Sequence, residues 1–149
     1  MKNNKIKFLL SVIIVISLIK GINLLEDSSM KKELNVLGGE LKIHCTNPLT
    51  GFYRDGYCRT GDGDHGSHVI AAIVTKEFLE FTKSRGNDLS TPNINSGFPG
   101  LNPGDKWCLC ALRCKQTYEA GITTTIVLDA THQNALKYVS LDILKKYQH

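Results

Sequence analysis

VIAAIVTKEFLEFTKSRG, residues 69–86, joins two patterns that demand different backbones. Val69 to Val74 is a continuous apolar run of strand length, as expected for a central strand covered on both faces. From Thr75 the period changes to that of a helix. Thr75 is a capping residue, Val74, Phe78, Phe81 and Thr82 share one helical face, Lys76 and Glu80 form an i,i+4 pair on another, and Gly86 ends the helix.

Outward from this unit lie two stretches rich in turn residues. Residues 47–68 (NPLTGFYRDGYCRTGDGDHGSH) place five glycines among Asn, Asp, Ser and Pro, which fix turns through positive φ or local side-chain bonds. Phe52, Tyr53, Tyr57 and Cys58 are bulky for such a stretch and predict an ordered loop packed on the core. Residues 87–105 (NDLSTPNINSGFPGLNPGD) predict a second long ordered loop, pinned by Phe98 and Leu101. Beyond it, Trp107 to Ala111 begins as a strand and passes into a helix with the stripe Ala111, Cys114 and Tyr118, closed by Gly121. Thr124 to Leu128 reads as a β-branched strand, Gln133 to Tyr138 as a short helix, and Leu141 to Tyr147 as a terminal helix capped by Ser140. Upstream, Leu41 and Ile43 alternate with Lys42 and His44 as a short half-buried strand. The sum is an α+β fold: a single small domain, a mixed sheet with packed helices and two long Gly/Pro-rich loops.

The N-terminus has a different character. Phe8 to Ile19 (FLLSVIIVISLI) is uncharged and nearly all apolar, preceded by Lys2, Lys5 and Lys7 and closed by Lys20, the layout of a secretory leader. As a helix it spans roughly 18 Å, against a hydrocarbon core of roughly 30 Å. The expected organisation is a signal peptide or signal anchor over 1–21, a linker over 22–34 and one α+β domain over 35–149. The expected location is the secretory pathway, lumenal or extracellular. Membrane anchoring through an uncleaved leader, or an organelle reached by the secretory route, are the alternatives. Half of the net charge of +4 falls in residues 1–30, where Lys2, Lys5, Lys7 and Lys20 face Glu26 and Asp27, and the remaining charges are interspersed without a basic stripe or an aromatic platform. That argues against nucleic acid as a partner.

Chemistry concentrates in the cysteines at 45, 58, 108, 110 and 114. In a strand Cys108 and Cys110 project to one face, and Cys45 and Cys58 flank the first loop, so these four are expected to converge. Cys114 belongs to an apolar stripe and reads as a small core residue. For the other four, disulfides, a zinc site and a reactive thiol all stay open. A secretory leader favours disulfides, while an odd count leaves one thiol unpaired. His44, His65, His68 and His132 are available to complete a metal site, with Cys45, Cys58, Cys108, Cys110 and His68 as the expected ligand set. Thiol chemistry would fall to Cys108 and Cys110, with His132, at the end of a predicted strand, as partner. Asp64 to His68 reads first as backbone-bonding loop residues and second as a metal or acid–base group. Arg54, Asp55, Arg59, Asn87, Asp88 and Trp107 form the expected ligand-binding set, with loop-bracing ion pairs as the plainer role for the charged members.

No nucleophile elbow, phosphate loop, dinucleotide fingerprint or H-E-x-x-H motif is present. The segments PLTGFYRDGYCRTG (48–61), GSH (66–68), RGNDLSTP (85–92), FPGLNPGDKWCLCA (98–111) and DATH (129–132) closely resemble a mainly bacterial family known as domain of unknown function 2237. The resemblance runs from about Asn35 to the C-terminus and implies no established activity. Cys45, Cys58, Cys108, Cys110, His68 and His132 match its pattern, whereas Cys114 stands where the family has Trp and Ala71 where many members have Cys. Relatives without an obvious leader imply reduced cysteines, so the resemblance and the leader pull in opposite directions. The expected function is a small-ligand or metal-binding domain with thiol chemistry at a Cys/His cluster, zinc being the metal such donors suit. The competing reading is a non-enzymatic interaction or structural module with core or disulfide-bonded cysteines, whose partner is a protein. Whether the domain is an enzyme stays open.

Overall fold

A computed structural model describes residues 33–149; the expected leader and linker, up to residue 32, lie outside the described residues. The apolar run forms β1 (Ile70–Ile73), and it occupies the centre of a three-stranded antiparallel sheet between β2 (Lys106–Leu109) and β3 (Thr125–Ile126). The register sets Ala71 opposite Cys108 and Ala72 opposite Trp107. Because side chains alternate across a strand, this divides the sheet into two faces. Ile70, Ala72, Trp107 and Leu109 enter the main core, while Ala71 and Cys108 meet Cys58 and Ala130 on the other side. Burial on both faces is why β1 carries no polar alternation.

Helix α1 (Lys76–Ser84) follows as expected. The Thr75 side chain accepts from the Phe78 N–H, and Phe78, Leu79 and Thr82 are buried against the core. Helix α2 (Ala111–Glu119) buries Ala111, Cys114 and Thr117. Tyr118 lies half-buried and stacks on Tyr147 of the C-terminal segment at 4.7 Å between centroids. Helix α3 (Leu141–Lys146) starts at Ser140, whose hydroxyl accepts from the Ile143 N–H. Three short 3₁₀ turns, Ile94–Ser96, Leu128–Ala130 and Gln133–Lys137, complete the described elements. The fold is α+β, as the sequence led us to expect.

Three local expectations need correction. Leu41 to His44 form no strand: Leu41 and His44 are buried, Lys42 and Ile43 exposed. The Leu41, Lys42 and His44 N–H groups go to Glu33, Asp129 and Gly56 carbonyls, three separate partners that cannot form a ladder. The β-branched strand is only two residues long, because Val127 turns the chain into the 3₁₀ turn that follows. In the first loop, Cys58 and Thr50 are fully buried, but Phe52 and Tyr53 stay outside the core, 37% and 47% exposed, and pack on each other edge to face. That loop is held instead by Thr50 and by close backbone packing. The Thr50 hydroxyl accepts from the Cys108 N–H at 2.8 Å, and Gly51, at φ +94, lies so close to the Tyr57 carbonyl that a Cβ has no room.

Candidate functional site

The end of the first loop shapes a histidine. Asp64 accepts the His68 backbone N–H on Oδ2 at 2.8 Å and the His68 ring Nδ1–H on Oδ1 at 2.6 Å. Its side chain has 0% exposure, whereas that of His68 keeps 40%. Burial alone would raise the Asp64 pKa, but the hydrogen bonds from His68 and Thr60 outweigh it and hold the carboxyl below its usual range. The ionised carboxylate fixes the imidazole with Nδ1 protonated, so Nε2 is the nitrogen left to act outward. Among the described residues nothing bonds to Nε2. Gly66 makes room for the ring: a Cβ there would lie 2.6 Å from His68 Cε1. Ser67, between them, has φ +48, and its carbonyl accepts the Ala111 N–H at the start of α2.

His68 opens onto a cleft of about 810 Å³ formed where the two long loops meet. Its walls include Phe52, Arg54, Leu89, Phe98, Trp107 and the 3₁₀ turn with Ile94. Ile94 is 94% exposed at the rim. The Arg54 guanidinium lies over the Trp107 ring, 5.0 Å from its centroid, and Phe98 packs on the same indole at 5.3 Å. Arg54 has φ +53; with Ser67 it is one of two non-glycine residues with positive φ among the described residues. Arg54 lines this cleft, and Ser67 immediately precedes His68, which does. A smaller cavity of about 210 Å³ shares His68, Leu89 and Trp107 and adds Asn87, Cys110 and Arg113.

The expected ligand-binding set is therefore split. Arg54, Asp88 and Trp107 line the large cleft and Asn87 the small one. Asp55 and Arg59 pair with each other at 2.6 Å, and the Arg59 guanidinium covers Tyr53, so they brace the loop. Asp88 also has internal work: Lys83 at 2.9 Å, the Thr91 hydroxyl at 2.7 Å and the Ser90 and Thr91 N–H groups hold its carboxyl far below the usual range.

The cysteines do not converge as four. Cys58 and Cys108 form a disulfide, both 1% exposed or less, on the second face of the sheet. In this state neither is a thiol or a thiolate ligand, which corrects the expected catalytic role of Cys108 and the ligand set Cys45, Cys58, Cys108, Cys110 and His68. Among the described residues no group of three His, Cys, Asp or Glu side chains is arranged to hold a metal, so the donors present do not fit zinc. Cys45 is a half-exposed thiol bonded to the Asn47 carbonyl. Cys110 is a half-exposed free thiol at the N-cap of α2, making no capping bond with its side chain. Burial pushes the Cys114 thiol up to about 12, consistent with a core residue.

His132 lies elsewhere. Its ring is buried, Nδ1 accepts the Asn134 N–H at 3.1 Å, and Nε2–H donates to Glu33 at 2.6 Å. Both nitrogens are spent on structure, which leaves none for a cysteine partner. His44 is likewise internal: Nε2–H donates to the Ala72 carbonyl at 3.0 Å, and burial lowers its pKa. Sequence reasoning placed Asp64 and His68 in a glycine-rich loop but ranked them as backbone-bonding. The available signal was the i,i+4 spacing with a glycine between. It missed Phe52, Leu89 and Phe98 as cleft walls.

Among the described residues no helix is long and apolar enough to cross a membrane, and the disulfide is compatible with an extracellular location. A comparison with curated proteins gives no match. The family match covers residues 34–148, nearly all that the structure describes, and the chain belongs to the family described as an uncharacterized protein conserved in bacteria (DUF2237).

Proposed function

We propose that the domain binds a small molecule in the cleft between its two long loops, with His68 as the polar group that meets the ligand. The observation that carries this reading is the Asp64–His68 arrangement: a buried carboxylate committed to one nitrogen of a half-exposed imidazole that lines a cleft of about 810 Å³. That volume falls within the roughly 300–1,000 Å³ usual for ligand sites. A buried carboxylate is costly unless bonded, and here its bonds orient a half-exposed imidazole. The positive φ of Arg54, in the lining, and of Ser67, next to His68, supports the same location, because strained backbone collects at ligand sites. Thiol chemistry, if the domain has any, belongs to Cys110, which reaches the adjoining cavity beside His68. Residues 1–21, as a leader or anchor, would deliver the domain to an oxidising compartment, where the Cys58–Cys108 bond persists. Any membrane contact would run through that segment.

The test is a chemically diverse fragment screen on the full chain, read by the fluorescence of its single tryptophan, Trp107, and by saturation-transfer NMR. Hits that quench or shift Trp107 and lose affinity in His68→Ala are the expected result. A screen without a single binder at Trp107 overturns the reading. The disulfide favours a second one, a structural module whose cysteines only brace the fold; protein binding that ignores His68→Ala would select it. For delivery, a fluorescent fusion of residues 1–30 should enter the secretory route, and a cytosolic signal would refute it.

A further inference from the structure

Two arginines of the first loop are treated differently. Arg59 donates from Nε and Nη2 to Asp55, at 2.7 and 2.6 Å, and its charge is spent there. Arg54, five residues earlier, has no carboxylate partner among the described residues. Among the described residues the one hydrogen bond of its side chain is from Nη1 to the Gly51 carbonyl at 3.2 Å. Its guanidinium carbon lies 5.0 Å from the centroid of the Trp107 ring, and Nε and Nη2, which have no partner among the described residues, are available for a two-pronged bond to an anion. The backbone at φ +53 is disfavoured for arginine, and no internal ion pair accounts for it.

The rest of the cleft fits an anion of a particular kind. Asp88 is the carboxylate in its lining, and it is already neutralised by Lys83 and its own loop donors, so it offers little repulsion. Among the described residues no lysine and no second arginine line the large cleft, so Arg54 is its one permanent cation, which matches a singly charged ligand. Phe52, Leu89, Phe98 and Ile94 supply apolar wall beside Arg54. We infer that the ligand of this cleft is an apolar-bodied monocarboxylate, with its carboxylate bound by Arg54 and its body laid against Phe52, Phe98 and Leu89. The inference rests on the binding role proposed above and names the class of ligand for it.

The experiment titrates the full chain with 4-phenylbutyrate, its neutral amide and phenyl phosphate, following Trp107 emission and confirming affinities by calorimetry. Arg54→Asn is the variant, because Asn tolerates positive φ; circular dichroism and the melting temperature establish that it folds. The acid should bind at least about tenfold more tightly than the amide, and Arg54→Asn should remove that preference while leaving the amide unchanged, as loss of a charged hydrogen bond predicts. Arg54→Lys should restore only part of it, since an ammonium cannot reproduce the fork. Equal binding of acid and amide at Trp107, acid affinity untouched in a folded Arg54→Asn, or preference for the phosphate overturns the inference and leaves the cleft reading standing. Absence of binding by all three probes, together with an empty fragment screen, overturns both.

Discussion

His68 and His132 each lie 2.6 Å from a carboxylate oxygen, yet the two pairs are built inside out relative to each other. In the first the carboxylate is buried (0% exposed) and the imidazole open (40%); in the second the imidazole is buried (3%) and the carboxylate open (37%). His68 has one nitrogen committed, His132 both. Identical chemistry at identical distance thus leaves an imidazole open to a cleft in one place and makes a buried clamp in the other. In the clamp, His132 ties the turn after β3 to Glu33, at the start of the described chain. Which partner is buried decides the role, because the buried group does the holding and the exposed one is held.

The largest expected effect falls on the buried member of the open pair. Asp64→Ala removes the acceptor of the His68 N–H, the His68 ring and Thr60, and should cost on the order of 3 kcal/mol in urea denaturation. The depressed pKa of Asp64 gives a pH signature. Its stabilisation is present above the unfolded value of 3.8 and is lost as pH falls through the lower folded value. His44 acts in a separate window. Its folded pKa lies below 6.5, so the unfolded state takes up a proton first and stability declines as pH drops below 6.5. Acid unfolding followed by circular dichroism should therefore keep the His44 step in Asp64→Ala but show a smaller loss of stability at low pH than the native chain, the remainder coming from Asp88.

Next in size is His132→Ala. It empties a buried site and strands the Asn134 N–H, for a loss of roughly 2 to 3 kcal/mol. If His132 were a site residue rather than a clamp, ligand affinity would fall more than stability, and calorimetry on the folded fraction would expose the error. Gly66→Ala places a methyl group against the His68 ring and should cost roughly 1 to 2 kcal/mol. Its sharper readout is the His68 ring shift in NMR, which should move as the bond to Asp64 is displaced. The smallest stability effect belongs to His68→Ala. With a side chain 40% exposed, and with Asp64 keeping its backbone donor, it should lose about 1 kcal/mol or less while cleft binding falls tenfold or more. A stability loss as large as that of His132→Ala would erase the contrast between the pairs.

Much of the architecture could be read along the chain where period and punctuation agree. β1, α1 with its Thr75 cap, and α3 with Ser140 are set by local patterns, and the structure has them within a residue or two. Leu41 to His44 failed because two-residue alternation describes a strand only when a neighbour supplies a ladder, and here the N–H groups find loop carbonyls. The cysteines were harder still. Sequence spacing put Cys108 and Cys110 on one face, but pairing depends on which residue of the first loop is carried across the sheet. That residue is Cys58, fixed by the Cys58–Thr131 bridge and by the Thr50 bond to β2. The disulfide closes a separation of 50 residues, and loop entropy assigns it about 4 kcal/mol.

The amino-acid order alone therefore determined the α+β class, the central strand and its helix, the two long loops and the family, because each is written in residues close together. Only the tertiary structure decided which cysteines pair, that Arg59 has a carboxylate while Arg54 has none among the described residues, and that His68 rather than His132 lines a cleft. Those outcomes depend on burial and on partners up to 99 residues apart, as in the Glu33–His132 bond, and no local pattern encodes which of two like groups ends up inside.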